Sequence, residues 1–129
     1  MSKFITPLDA PLRDDSDEIY VLRSRLVYMS DIAGMIIVPA GFQTDLASVP
    51  RLPFTYAFFG GRAHREAVLH DYLYRTDSNP NVSFMDANRV FFEAMATRGK
   101  PAYISYPMFW GVCAGGLPSY HKREVRAVL

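Results

Sequence analysis

The chain has 129 residues, of which half are hydrophobic, and this length suits one hydrophobic core in a single domain. Its 14 Lys and Arg against 13 Asp and Glu give a formal net charge of +1, which excludes the strong positive field that nucleic-acid binding needs. Cys113 is the single cysteine, so an internal disulfide is excluded and a structural zinc site lacks its ligands.

The N-terminal segment is rich in proline and acidic residues. It ends in the run Asp14-Asp15-Ser16-Asp17-Glu18, whose charges repel one another and favour solvent. We therefore predict an arm or an edge over residues 1–18 and a globular domain over residues 19–129. Residues 1–10 hold no apolar run of the kind that makes a secretory signal, so we expect the protein in the cytoplasm on synthesis.

Two strand patterns come next. Residues 19–29 alternate β-branched, aromatic and charged side chains, and a second apolar run covers residues 35–38. The turn residues between them predict an antiparallel hairpin. Pro39 and Gly41 then end the second strand.

A long loop is predicted over residues 42–51. Thr44, Asp45 and Ser48 in this loop either cap a turn or belong to a functional site. Gly60-Gly61 predicts a hinge before the first helix. Between loop and hinge, an aromatic-rich segment would suit a protein contact if it is exposed, through Phe54, Tyr56, Phe58 and Phe59.

The first helical pattern covers residues 62–75. Ala63, Ala67, His70 and Tyr74 recur at offsets of four, three and four, which places them on one stripe of a helix. We therefore predict that His70 faces inward and that Asp71 lies at the border of this stripe.

A second helix is predicted after Ser83, a favourable N-cap residue, with Asp86 in its first turn. Its apolar face ends at Gly99-Lys100-Pro101. The two helices are joined by a short loop, so they are expected to be antiparallel. The predicted fold is therefore α+β, with an N-terminal antiparallel hairpin or small sheet followed by two or three packed helices.

The last apolar block, residues 101–118, contains no charged residue. Its length meets the threshold for a membrane span, but Pro107, Gly111 and the hydroxyl groups of its tyrosines speak against one. We predict a buried helix with a kink, and a membrane-contacting segment is the alternative.

His70 and Asp71 are the residues most suited to chemistry. A neutral imidazole held by a carboxylate is a proton acceptor near neutral pH, and either Asp86 or Asp45 is placed to hold His70. Asp71 points elsewhere on the helix and is free to bind a hard cation such as Ca²⁺. The alternative is a buried polar network that only fixes the orientation of the helices. A nucleophilic Ser48 is not favoured, because the nucleophile-elbow pattern is missing.

Two motifs carry a family resemblance. They are the segment from Val38 to Arg51, which contains Thr44-Asp45-Leu46-Ala47-Ser48, and the segment from Ala67 to Tyr74, which contains His70-Asp71-Tyr72-Leu73-Tyr74. In this order and spacing they resemble a family of phage and prophage proteins known as domain of unknown function 1353, over residues 19–98. The resemblance implies a phage or prophage origin and no established activity.

A second resemblance concerns mechanism. His70-Asp71-x-x-Tyr74 followed by Asp86 on an antiparallel helix is similar to the helix pair of phospholipases A2. This resemblance implies that His70 activates a water molecule, that Asp71 binds Ca²⁺, and that Tyr74 and Asp86 hold the far side of the histidine.

Two functions follow as hypotheses. The first is a phage-encoded, metal-assisted hydrolase that acts on an ester or amide of the host envelope, in lipid or peptidoglycan. The second is a non-catalytic virion subunit of a tail, neck or baseplate, which contacts other virion proteins and uses the same residues as a buried polar network. In both, synthesis takes place in the host cytoplasm, and the second adds association with the virion.

Overall fold

The computed structural model describes residues 1–46, 48 and 64–129, and in them short strands precede helices. The strands are β1 (Lys3–Phe4), β2 (Tyr20–Val21), β3 (Leu26–Ser30), β4 (Gly34–Val38) and β5 (Gln43–Thr44). The helices are α1 (Arg65–Leu73), α2 (Phe84–Thr97) and α3 (Ala102–Gly115), followed by a 3₁₀ turn at Leu117–Ser119. This order confirms the predicted α+β fold. The predicted hinge at Gly60-Gly61 and the aromatic segment at residues 53–59 lie outside the described residues.

The predicted hairpin is formed by β3 and β4, which pair in antiparallel register from Leu26 opposite Val38 to Ser30 opposite Gly34. The Ser30 hydroxyl accepts the backbone N–H groups of residues 32 and 33, and Gly34 closes the turn with φ +78°. The first strand is shorter than predicted. Tyr20–Val21 leaves this sheet and pairs with Gln43–Thr44 in a second, two-stranded sheet.

Residues 1–18, for which an arm or an edge was predicted, run along the sheets. β1 pairs with β3, and Phe4 packs on Tyr28 with ring centroids 4.5 Å apart. Farther along, Leu12 forms a bridge with Tyr20. The segment therefore adds an edge strand and covers part of the core.

Two hydrophobic clusters hold the helices. The larger cluster joins the hairpin to α1 and α2, and the smaller one lies between α2 and α3. The Tyr28 hydroxyl also donates to the Glu93 carboxylate at 2.6 Å, which ties β3 to α2. Arg89, four residues before Glu93 on α2, pairs with Asp86 at 3.0 Å.

Helix α1 is more deeply buried than its pattern predicted. Every residue from Glu66 to Leu73 is buried, so neighbouring segments cover the helix on all sides. Asp71, which we expected at an accessible border, is consequently buried as well. A single apolar stripe on a helix does not reveal that the remaining faces are also covered.

The burial of helix α3 differs from the prediction. Pro107 lies within it, and one face is buried through Ile104, Ser105, Met108 and Val112. The opposite face exposes Tyr103, Tyr106 and Trp110, the last of these by 68%. The predicted buried helix is therefore buried on one face only. Among the described residues, no helix combines the length and the apolar character needed to cross a membrane.

Candidate functional site

His70 lies at the centre of a buried hydrogen-bond network. Its side chain has no exposed surface, and its two ring nitrogens both have partners. Nδ1 lies 3.1 Å from the Ser48 hydroxyl, and Nε2 lies 2.8 Å from Oδ1 of Asn88. The Tyr74 hydroxyl donates to the same Asn88 oxygen at 2.6 Å. We call these four residues the His70 network.

The chemistry of the partners sets the direction of these bonds. The Asn88 oxygen can only accept, so Nε2 of the neutral imidazole carries the ring proton and donates it. Nδ1 is then an acceptor, and the Ser48 hydroxyl donates to it. The Asn88 amide nitrogen faces the weakly accepting sulfur of Cys113 at 3.7 Å, which agrees with this orientation of the amide. A hydroxyl proton therefore points at a basic lone pair.

Burial controls the protonation of His70. Removal of the ring from water lowers the pKa of His70 from its ordinary value of 6.5 to about 4, and the Asn88 bond and the Asp71 charge act in the opposite direction. The ring packs between Tyr74 and Phe91, with centroids 4.1 and 4.7 Å away. Burial likewise raises the pKa of Tyr74. The network is therefore neutral near pH 7.

Local structure places each member. His70 is in the middle of α1, and Asn88 is in the second turn of α2, whose start is capped by the Ser83 hydroxyl. Ser48 follows a turn in which the Thr44 hydroxyl accepts the Leu46 N–H at 2.9 Å. Leu46 has φ +60°, a left-handed conformation that a bulky residue rarely adopts. This turn brings the loop to the imidazole.

Asp86 does not hold His70, contrary to the prediction. Its carboxylate is partly exposed and pairs with Arg89 at 3.0 Å. Asn88 takes the expected place, two residues later. Two residues correspond to about 200° around a helix, so Asp86 and Asn88 face opposite sides. The signal for Asn88 was present in the sequence, because it shares a stripe with Phe91 and Met95 at offsets of three and seven.

Asp45 was the other predicted partner of His70, and this was also wrong. Its carboxylate lies 3.6 Å from Arg123, near the surface. The two alternatives for this loop were turn capping and a place in the site. Thr44 caps its turn, whereas Ser48 belongs to the site. The direction of a loop side chain is not encoded in any periodicity, so the sequence did not separate the three residues.

Asp71, predicted to bind a cation, forms a buried ion pair with Arg75 at 2.9 Å. Arg75 also donates to the backbone oxygens of Gln43 and Glu124, and it lies 4.8 Å from the centre of the Phe42 ring. Within the described part of the chain, no group of three His, Cys, Asp or Glu residues could hold a metal ion. Among the residues that the structure describes, the Asp71 carboxylate is therefore paired with a cation of the chain, and no second carboxylate joins it in a cluster of Ca²⁺ ligands.

A cavity of about 170 Å³ lies beside the network. It is lined by Ser48 and Tyr74, by the Asp71–Arg75 pair, and by Pro118, Ser119, Lys122 and Arg123. Gly116 sits against the network at this end of α3, where a Cβ atom would collide with the Tyr74 hydroxyl. Sequence reasoning missed the contribution of residues 118–123.

Comparison with known proteins gives one match. A family model described as "Protein of unknown function (DUF1353)" matches residues 20–112. No curated protein and no solved structure matches the chain. The matched range includes all four members of the His70 network and ends before residues 118–123.

Proposed function

The chain belongs to the DUF1353 family, and we propose that it is a non-catalytic structural subunit of a phage particle, in a tail, neck or baseplate. One observation carries the structural part of this proposal. His70 is wholly buried, and both of its ring nitrogens form hydrogen bonds with side chains of the same chain. The phage part rests on the two sequence motifs around Asp45 and His70.

Burial argues for a supporting role over catalysis by His70. A general base has to reach its substrate directly or through one water molecule, and its pKa works best near the operating pH. His70 is enclosed, and its pKa of about 4 makes it a weak base at neutral pH. The network instead fastens the Ser48 loop to α1 and α2, and each buried polar group left unpaired would cost about 1 to 3 kcal/mol.

The test combines virion composition with a Ser48→Ala variant. We expect mass spectrometry of purified particles to find the protein, and we expect Ser48→Ala to be incorporated and to leave infectivity unchanged. Asp86→Asn, outside the network, is the matched control. Absence of the protein from particles would refute the proposal. So would a folded, incorporated Ser48→Ala protein that abolishes infectivity, because a structural subunit that still folds after a loss of about 1 to 3 kcal/mol should keep its role.

A hydrolase is the second candidate, and one contact favours it. The Ser48 hydroxyl donates to a neutral imidazole whose other nitrogen is held by Asn88, which is the order of nucleophile, base and orienting residue. Ser48 also faces the cavity. In this function Ser48 Oγ would form a bond to the carbonyl carbon of a host-envelope ester or amide while its proton passes to Nδ1 of His70. That proton would then leave with the alcohol or amine, whose bond to the carbonyl carbon breaks.

This second function differs from the predicted metal-assisted one in two ways. The nucleophile is the Ser48 hydroxyl and not an activated water molecule, and the Asp71 carboxylate is paired with Arg75 and not with a metal ion. A fluorophosphonate reagent tests it directly. Covalent labelling of Ser48 in the wild type, absent from Ser48→Ala, would favour the hydrolase and overturn the structural proposal. An unlabelled wild type favours the structural subunit.

A further inference from the structure

The proposed role as a structural subunit gives no function to the cavity beside the His70 network. Its volume of about 170 Å³ has room for roughly five water molecules or for one small oxyanion. From its lining we infer that it binds a single oxyanion group, a carboxylate or a phosphate.

Charge is the first argument. Arg75, Lys122 and Arg123 line the cavity, against one carboxylate, that of Asp71. Asp71 is already paired with Arg75, and Asp45 lies 3.6 Å from Arg123 outside the lining. Lys122 has no ion partner among the residues that the structure describes. The cavity therefore keeps a positive balance, which an anion would neutralise.

Hydrogen-bond donors are the second argument. Arg75 uses three of its five N–H groups, on the Glu124 and Gln43 carbonyls and on Asp71. These bonds fix the guanidinium group in one orientation, and two of its N–H groups take no part in them. Ser119, whose side chain carries a hydroxyl, also lines the cavity. Ser48 is not counted as a donor, because its single O–H is given to His70.

Backbone geometry is the third argument. Among the described residues, two that are not glycine have a positive φ: Leu46 at +60° and His121 at +56°. Leu46 lies two positions before Ser48, and His121 precedes Lys122, so each is close in sequence to a residue that lines the cavity. Left-handed residues of this kind cost of order 1 to 3 kcal/mol each and cluster at ligand sites.

The segment that carries the cations is also held firmly. The His121 N–H donates to the Tyr74 carbonyl at 2.7 Å, and the Arg123 carbonyl accepts the Thr76 N–H at 2.8 Å. The walls are thus preorganised, which lowers the entropic cost of binding. The inference stands whether the protein is a structural subunit or a hydrolase.

The experiment titrates the isotopically labelled full chain with inorganic phosphate and, separately, with acetate, at constant ionic strength. We expect saturable shifts of the amide signals of Ser119, Lys122 and Arg123. In Lys122→Gln the dissociation constant should rise at least tenfold. The matched control is Arg126→Gln, which removes the same charge from an exposed position outside the cavity and should change the constant less than twofold.

Each outcome decides the inference. Tighter phosphate binding assigns the site to phosphate groups, tighter acetate binding assigns it to carboxylates such as those of acidic peptides, and both support an oxyanion site. No saturable shift with either anion overturns it. Equal weakening in Lys122→Gln and Arg126→Gln also overturns it, because attraction would then come from overall charge and not from the cavity.

Discussion

The pH dependence of stability depends directly on His70. The native state holds this imidazole neutral, with a pKa of about 4, whereas the unfolded chain exposes it with the ordinary pKa of 6.5. As the pH falls through 6.5, the imidazole of His70 is protonated in the unfolded state but stays neutral in the native state. The unfolded state is then favoured, so stability is complete above pH 6.5 and declines as the pH falls towards 4.

The size of this effect follows from the two pKa values. A pKa lowered from 6.5 to about 4 corresponds to a total of about 3 kcal/mol. By pH 5, before unfolded carboxylates titrate appreciably, about 2 kcal/mol should already be lost. His70→Asn has no imidazole to protonate at this site, so its stability should fall by that much less over the same range.

The assay is urea unfolding followed by circular dichroism at pH 7.5 and pH 5. The difference between the two unfolding free energies is compared for wild type, for His70→Asn and for His121→Asn, which removes an exposed imidazole as the matched control. Asparagine suits position 121, because it tolerates the left-handed backbone found there. The control should lose as much stability as the wild type.

Equal losses in wild type and His70→Asn would refute the reasoning, since the imidazole would then titrate alike in both states. If His70→Asn does not fold, a nuclear magnetic resonance titration of the wild-type ring replaces it. A pKa near 6.5 for that ring would contradict its burial. A proton on Nδ1 at neutral pH would contradict the assigned directions of the hydrogen bonds.

Three further predictions concern the network and its surroundings. Gly116→Ala should destabilise the protein by about 2 kcal/mol or more in thermal unfolding, because its Cβ would displace the Tyr74 hydroxyl, whereas Gly115→Ala, with open space around its Cβ, should be neutral or stabilising. Asn88→Ala strands two buried donors and should cost about 2 to 4 kcal/mol in urea unfolding, against less than about 1 kcal/mol for the exposed Asp86→Asn. Millimolar Ca²⁺ should leave the melting temperature of wild type and of Asp71→Asn unchanged, since Asp71 is engaged by Arg75; a calcium-dependent rise in wild type alone would restore Asp71 as a metal ligand.

Periodicity explains which parts of the fold were predictable. The alternation in the hairpin and the stripes of the two helices reflect which side chains face the core, and local turn residues mark where the elements end. The shortened first strand escaped this reasoning, because the partner of Tyr20–Val21 is a strand more than twenty residues away. The exposed side of α3 was not predicted either, because a helix without charged residues shows no difference in charge between its buried and exposed faces.

Prediction of the site failed for a different reason. His70 was found because an imidazole on an apolar stripe is unusual, but its partners depend on contacts across 18 and 22 residues. Charge was also overvalued: Asp86 and Asp45 were predicted as partners because carboxylates commonly orient imidazoles, and Asn88 was not considered. In a closed interior an amide is the cheaper partner, because it needs no compensating charge.

The exposed face of α3 has a consequence for spectroscopy. Trp110 is the single tryptophan of the chain, and it stands in solvent in the native state. Its emission should therefore resemble that of the unfolded chain, so intrinsic fluorescence is a poor reporter of unfolding here. The same property makes it a sensitive reporter of docking, because any partner that covers α3 would dehydrate the indole and shift its emission to the blue without a label.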